Sequence, residues 1–168
     1  MNSSPQSKIE ALLTEARLVV PTDFSSPLPP IDGFRNVAQW HQFELALWSI
    51  GEQIRQAINS QPQLRSDDAL YAEFLSIVHN RHGMRGRQSF VLLFAYRPCL
   101  AWARDLASLI PDSDIDGQII SALYKMRASG FSRLVAPFIS SEATWIRKEA
   151  RRYLSFDLDA PIPHERSV

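Results

Sequence analysis

The chain has 168 residues, a length that suits one domain and leaves too little sequence for two domains of ordinary size. Apolar residues make up 45% of it and charged residues 21%, which argues against wholesale disorder and permits a sizeable core. The 18 basic and 18 acidic side chains balance to a net charge of zero, which argues against nucleic acid as the main partner, and the single cysteine excludes an intramolecular disulfide.

Periodic apolar residues predict two helices within residues 1–65. Steps of three and four mark one helix over residues 7–20 and a longer one over residues 36–60. Between them, residues 21–36 contain four prolines and one glycine, so they cannot form a continuous helix or a central strand. We interpret residues 1–65 as a helical N-terminal cap with a proline-rich wrap.

Capping residues predict a third helix in the middle of the chain. Ser66, Asp67 and Asp68 supply a cap and an acidic first turn, and we expect this helix to end near Gly83. No segment shows the sustained period-two alternation of a half-buried strand, and the apolar run over residues 90–96 also fits a buried helix. The sequence therefore predicts an all-α protein, and a run this short cannot span a bilayer.

A nine-residue pattern recurs in the second half of the chain at intervals of 31 residues. The three copies are residues 84–92, 115–123 and 146–154. Positions 1, 5, 8 and 9 of each copy lie on one helical face, and all are apolar or small except Gln88. Second apolar segments over residues 100–110 and 131–139 precede the last two copies, so the unit is helix, turn, helix. Such a unit of about thirty residues is typical of an α-solenoid, in which stacked neighbours share one core.

The last copy carries the pattern of a known repeat family. Leu134, Pro137 and Ile139 precede the run 145–154, whose residues follow an aliphatic-Arg-x-x-Ala-x-x-small-Leu order. In this order the copy resembles a HEAT-type repeat, and the resemblance extends over roughly residues 66–156. It implies a superhelical scaffold with a concave binding surface and usually no catalysis of its own.

Two pairs of potential metal ligands are each spaced by three residues. They are His41 with Glu44 and His79 with His82, and the four could meet if their helices packed together. His41 and His82 could also act as a general acid and base beside a nearby arginine. We interpret these side chains as structural or surface groups, because isolated motif matches are usually spurious. With no nucleophile motif or phosphate-binding glycine loop, we expect no catalytic residue, no bound metal and no cofactor.

The two halves of the chain differ in charge. Residues 1–80 carry −4 and residues 81–168 carry +4, so a basic partner would be attracted to acidic side chains, above all in the first half. The candidate partner-binding carboxylates are Asp67, Asp68, Glu73, Asp112, Asp114 and Asp116. Capping of the following helix is the simpler interpretation of the last three.

Arginine and tryptophan supply a second group of interface candidates, since these residue types dominate the energetic centres of protein interfaces. The candidates are Arg87, Arg97, Trp102, Arg127, Arg133 and Trp145. For either tryptophan, burial in the core fits the sequence equally well. A separate basic set lies on one side of the predicted last helix and could contact phosphate, although a solvated outer face is expected of a terminal repeat. Its members are Arg147, Lys148, Arg151 and Arg152.

We predict one domain over residues 1–168, with the cap at 1–65, HEAT-like repeats at 66–156 and a tail at 157–168. The favoured hypothesis is a non-enzymatic, cytoplasmic protein-binding module, and by analogy an immunity or antitoxin protein that neutralises a bacterial toxin such as a nuclease. The alternative is a HEAT-like nucleic-acid-binding or DNA-repair protein. A histidine- or metal-dependent hydrolase is the third hypothesis. We expect a protein partner and no membrane partner.

Overall fold

Helices form all of the regular secondary structure in the computed structural model, which describes residues 5–23 and 40–158. The all-α prediction is confirmed. Most of the predicted proline-rich wrap and most of the C-terminal tail lie outside the described residues.

Three long helices form the first half of the described chain. They are α1 (Pro5–Val19), α2 (Gln42–Ser60) and α3 (Asp68–His79). Helix α2 begins at Gln42 because its N-cap, His41, has an extended backbone with φ −73° and ψ 155°. Helix α3 ends at His79, before the predicted end near Gly83, because the chain turns into a 3₁₀ segment at residues 81–87.

The second half consists mostly of shorter elements and ends in a long helix. Its helices are α4 (Gln88–Leu92), α5 (Ala103–Ala107), α6 (Asp116–Met126), α7 (Ser132–Val135) and α8 (Thr144–Leu158), with 3₁₀ segments at Arg81–Arg87, Arg97–Trp102 and Ala136–Ser140. A further 3₁₀ segment at Pro62–Ser66 joins α2 to α3. The predicted apolar segments 100–110 and 131–139 are therefore divided between a 3₁₀ segment and a short α-helix. Pro98 and Pro137 lie in the first turn of these 3₁₀ segments, where a missing N–H is tolerated.

The helices pack on one another in chain order. Helix α2 contacts residues 81–87 and α4, α4 contacts α6, and α6 contacts α8, while α3, α5 and α7 cover α4, α6 and α8. The predicted inward stripe of the second copy is fully buried, and its members are Ile115, Ile119, Ala122 and Leu123. In the third copy Ala150 and Tyr153 are buried. The first copy departs from the pattern because Met84 lies in the 3₁₀ segment with φ +45°, so only its last turns are α-helical.

Leu123→Ala tests this register. Leu123 lies on α6 and is fully buried in the core. The variant should therefore lose about 2–5 kcal/mol of unfolding free energy through lost burial and the cavity that remains. The nearby exposed residue Lys125 provides the control, and Lys125→Ala should unfold at the wild-type urea concentration. A Leu123→Ala protein with wild-type stability would contradict the assigned face of α6.

Candidate functional site

Arg87 lies at the centre of a buried polar network that the sequence did not reveal. Its side chain is 0% exposed. Nε donates to the carbonyl of Met84 at 2.8 Å and Nη1 to the carbonyl of Val78 at 2.9 Å. Nη2 donates to Oδ2 of Asp112 at 2.9 Å and lies 3.6 Å from Oδ2 of Asp114. Arg87 is thus committed to internal contacts and is closed to a partner.

A second buried carboxylate, Glu44, holds the same segment of the chain. Its Oε1 accepts from the backbone N–H of Arg85 at 3.0 Å and from the Arg85 Nε at 3.1 Å. Its Oε2 accepts from the backbone N–H of His41 at 2.6 Å. Because Glu44 is fully buried and bonded on both oxygens, it joins the start of α2 to residues 81–87 and is not free to bind a metal.

Two glycines allow this segment to approach α2. A Cβ on Gly86 would lie 2.7 Å from the carbonyl oxygen of Glu44 and 2.9 Å from the Cβ of Leu47. A Cβ on Gly83 would lie 2.8 Å from atoms of Leu47 and Arg87. The alternation of glycine and arginine over residues 83–87 is the sequence feature that accompanies the network, and it was not used to predict it; close backbone packing is a main use of glycine.

The predicted acidic residues of the first half lie on α3 or just before it. Asp67 is the N-cap of α3 and accepts from the backbone N–H of Leu70 at 3.0 Å. Glu73 forms an exposed ion pair with Arg17 of α1. Asp68 is exposed in the first turn of α3, where it complements the helix dipole.

The predicted acidic residues of the second half surround the start of α6. Asp112 binds Arg87, as described above, and also accepts from the backbone N–H of Asp114 at 3.2 Å. Asp116 accepts from the backbone N–H of Gly117. Burial raises the pKa of the carboxyl groups of both Asp114 and Asp116 above their ordinary range. These three residues lie in the turn before α6 and in its first turn, but none of them caps the helix as the sequence suggested, because its N-cap is Ile115, which makes no side-chain cap hydrogen bond.

The histidine pairs do not converge with Glu44 on a metal site. His79 ends α3 and is exposed, and the Nδ1 of exposed His82 lies 3.1 Å from the carbonyl oxygen of Pro21. Among the described residues, no group of three or more histidine, cysteine, aspartate or glutamate side chains could hold a metal ion. The single thiol, Cys99, is buried, and burial raises its pKa, which disfavours the reactive thiolate.

The predicted basic set of α8 is partly engaged within the chain. Arg147 donates to the carbonyls of Ser141 and Glu142 at 2.6 and 2.9 Å. Arg152 forms an ion pair with Glu149 at 3.1 Å. Lys148 and Arg151 are exposed, so two of the four side chains remain to contact a ligand.

The two candidate tryptophans have different surroundings. Trp102 is half-buried, and its ring meets that of Phe94 edge to face at 6.2 Å. Trp145 is 47% exposed, with its ring packed over Gly117 at the start of α6. Trp102 therefore contributes to the core, whereas Trp145 presents an open aromatic surface.

A surface groove lies between residues 97–105 on one side and residues 126–131 with Phe156 on the other; we call it the Leu100 groove. It consists of two depressions of about 380 and 460 Å³, and Leu100 and Arg127 line both of them. Leu100 is 50% exposed. Three exposed arginines line the groove, and the carboxylate of Asp105 is the one acidic group among its described lining residues. The arginines are Arg97, Arg104 and Arg127.

Arg127 occupies a backbone position that usually favours glycine. It follows the C-terminus of α6 with φ +60° and ψ +38°, in the left-handed region. Its N–H donates to the carbonyl of Tyr124, and the next N–H, of Ala128, donates to that of Leu123, which together form a Schellman motif. The guanidinium lies 5.2 Å from the ring centroid of Tyr124 and 5.1 Å from that of Phe156. These cation–π contacts hold the charged group beside the groove.

The chain matches no protein-family model, no curated protein sequence and no solved structure. Over the described residues, no helix is both long enough and apolar enough to cross a membrane.

The Arg87 network can be tested by removing its carboxylate. Asp112→Ala should lower the free energy of unfolding by about 3–5 kcal/mol, because it leaves the buried guanidinium without its closest counter-charge and with only the Asp114 carboxylate at 3.6 Å. Glu73→Ala removes an exposed carboxylate of the same predicted acidic set and should cost about 0–1 kcal/mol. Urea titration measures both. Equal losses from the two variants would contradict the structural role of Asp112.

Arg127→Gly tests whether the left-handed residue is retained for stability. The change relieves backbone strain and removes the ring contacts, so the unfolding free energy should stay within about 1 kcal/mol of the wild-type value. Lys125→Gly makes the same change inside α6 and should cost about 1 kcal/mol. A larger loss for Arg127→Gly than for Lys125→Gly, measured by urea unfolding, would show that the arginine serves the fold.

Proposed function

We propose that the chain is a non-enzymatic protein-binding module that contacts its partner through the Leu100 groove. The observation that carries the proposal is an exposed leucine flanked by three arginines that have no carboxylate partner within the described part of the chain. Arginine and aromatic residues around a desolvated apolar centre are the composition of interface hot spots. Arg97 and Arg127 belong to the interface candidates that the sequence suggested.

A stack of HEAT-like repeats is the architecture that fits this role. The 31-residue recurrence, the buried stripe of α6 and the sequential contacts from α2 through α8 support it. In such a stack, the short elements at residues 97–107 and 132–140 form one layer and expose their outer sides to a partner. The groove lies at the side of this layer, next to residues that end α6 and α8.

An immunity or antitoxin protein is the specific form of protein binding that we propose for this module. A small helical domain without a catalytic motif suits an inhibitor that works by covering a toxin. The acidic set offers such a partner mainly Asp68 and the exposed parts of Glu73 and Asp114, since Asp67, Asp112 and Asp116 already have internal hydrogen-bond partners. The Leu100 groove adds an apolar contact that the acidic set lacks.

Nucleic acid is the less favoured ligand. The apolar residues around the groove, among them Leu100 and Phe156, offer little to a phosphate backbone, and two of the four basic side chains on α8 are engaged internally. Zero net charge also gives little of the long-range attraction on which phosphate binding depends.

Leu100→Asp tests the proposed surface. The carboxylate would be desolvated in the complex, so the variant should bind the partner at least about tenfold more weakly, which corresponds to about 1.4 kcal/mol. The tagged wild-type chain and variants are incubated with nuclease-treated native lysate, bound proteins are identified by mass spectrometry, and affinity for the purified partner is measured by calorimetry.

Leu134→Asp is the matched control, because Leu134 is 44% exposed and lies on α7, outside the groove. It should retain wild-type binding. A supporting result is a protein that binds the wild type and Leu134→Asp but not Leu100→Asp. The proposal fails if no such protein is found, or if binding is seen only in a parallel lysate that has not been treated with nuclease.

A further inference from the structure

The arginines of the Leu100 groove lack the carboxylate partners that several other arginines of the described chain have. Arg17, Arg55, Arg85, Arg87 and Arg152 each form an ion pair with a carboxylate. Neither Arg97 nor Arg104 has such a pair among the described residues, and Arg127 contacts only aromatic rings through its guanidinium there. Arg133 and Arg151 are also exposed without an ion pair among these residues, but the groove brings three such side chains together around one apolar centre.

The groove combines this charge with an apolar centre. Leu100 lines both depressions and is half exposed, and Met126 and Phe156 line the first of them. A ligand that fills the groove must therefore supply negative charge at its edges and an apolar group at its middle. A nucleic-acid duplex supplies the first and not the second, because its bases are stacked inside, whereas a peptide with acidic and apolar side chains supplies both.

The conformation of Arg127 makes the groove pre-organised. A left-handed residue other than glycine is retained only where the surroundings compensate for its strain, and such residues cluster at binding sites. Here the rings of Tyr124 and Phe156 fix the guanidinium at 5.2 and 5.1 Å. Because these ring contacts restrict the side chain, binding a carboxylate loses less conformational entropy than at a surface arginine without such contacts.

We infer that the Leu100 groove binds an acidic peptide segment of the partner protein. Carboxylates of the segment pair with Arg97, Arg104 and Arg127, as planar guanidinium groups do with aspartate and glutamate. An apolar side chain between those carboxylates packs on Leu100 and Phe156. This inference rests on the proposed function and specifies the chemistry of the partner at the groove.

Peptide selection tests the inference on the full chain. A displayed library of random twelve-residue peptides is selected on the wild-type protein and counter-selected on the double variant Arg97→Glu/Arg104→Glu. We expect the retained peptides to be enriched in aspartate and glutamate around one leucine or aromatic residue. The most abundant peptide is then synthesised, and its affinity is measured by fluorescence polarisation.

The double variant should bind this peptide at least about tenfold more weakly than the wild type, because two opposite charges become like charges. A second peptide with lysine in place of each acidic residue should bind the double variant better than the wild type. Lys148→Glu/Arg151→Glu reverses two exposed charges on α8 and should leave the affinity unchanged. Thermal unfolding confirms that both double variants are folded.

Three results would overturn the inference. The retained peptides could be neutral or basic, the charge reversal could leave their binding unchanged, or a single-stranded oligonucleotide could displace them at equal concentration. If binding of the identified partner still requires Leu100 but the retained peptides are not acidic, the groove remains the proposed docking surface and the inferred acidic peptide is wrong. If neither the partner nor any peptide depends on the groove, the proposed function fails as well.

Discussion

The buried guanidinium of Arg87 is the constraint on which the middle of the fold depends. It connects the end of α3 through Val78, the 3₁₀ segment through Met84 and the turn before α6 through Asp112, so three separate pieces of chain meet on one side chain. Removal of the Arg87 and Asp112 charges from water costs several kcal/mol per ion. Only well-placed ion-pair and hydrogen-bond partners offset that cost, so the three pieces of chain must meet in one arrangement. Glu44 extends the same constraint to α2, because it binds both the backbone and the side chain of Arg85. Polar contacts therefore join α2, the end of α3 and the turn before α6, in addition to the apolar burial of the core.

Arginines serve two opposite purposes in this chain. Arg85 and Arg87 flank Gly86, and their charge is neutralised by carboxylates inside the domain. Arg97, Arg104 and Arg127 lie on the surface without such carboxylates among the described residues, so their charge remains available for binding. The positive charge of the second half is therefore divided between buried arginines that stabilise the fold and exposed arginines that can contact a ligand. The net charge of each half, on which the predicted acidic contact set was based, does not distinguish these two groups.

The sequence predicted the helical content, the ends of α1 and α3 to within a few residues and the inward face of α6, because apolar periodicity reports burial directly. It did not predict the break at residues 81–87, where Met84 adopts φ +45° and two glycines approach α2, since that geometry depends on contacts with Glu44 and Leu47 far away in the chain. For the same reason Gln88 breaks the apolar stripe: its side chain donates to the carbonyl of Asp114, a contact made across two elements. The groove was predicted only in part, because Arg97 and Arg127 were interface candidates from their residue type. The exposure of Leu100 and the internal hydrogen bonds of Arg87 depend on the folded chain and could not be predicted.

Arg127 shows why a binding surface can persist beside a well-packed core. The end of α6 needs a left-handed residue, and glycine would supply that backbone at lower strain and with no side chain. The strain of an arginine there is confined to one residue, while Leu123 and Met126 of the same helix end remain fully packed. Different atoms of this single turn therefore serve stability and the proposed binding. The backbone ends the helix through the Schellman hydrogen bonds, and the guanidinium lies over Tyr124 and Phe156 beside the groove. A surface built on such a turn can change its charge without disturbing the core, whereas a change at Arg87 cannot be separated from the fold.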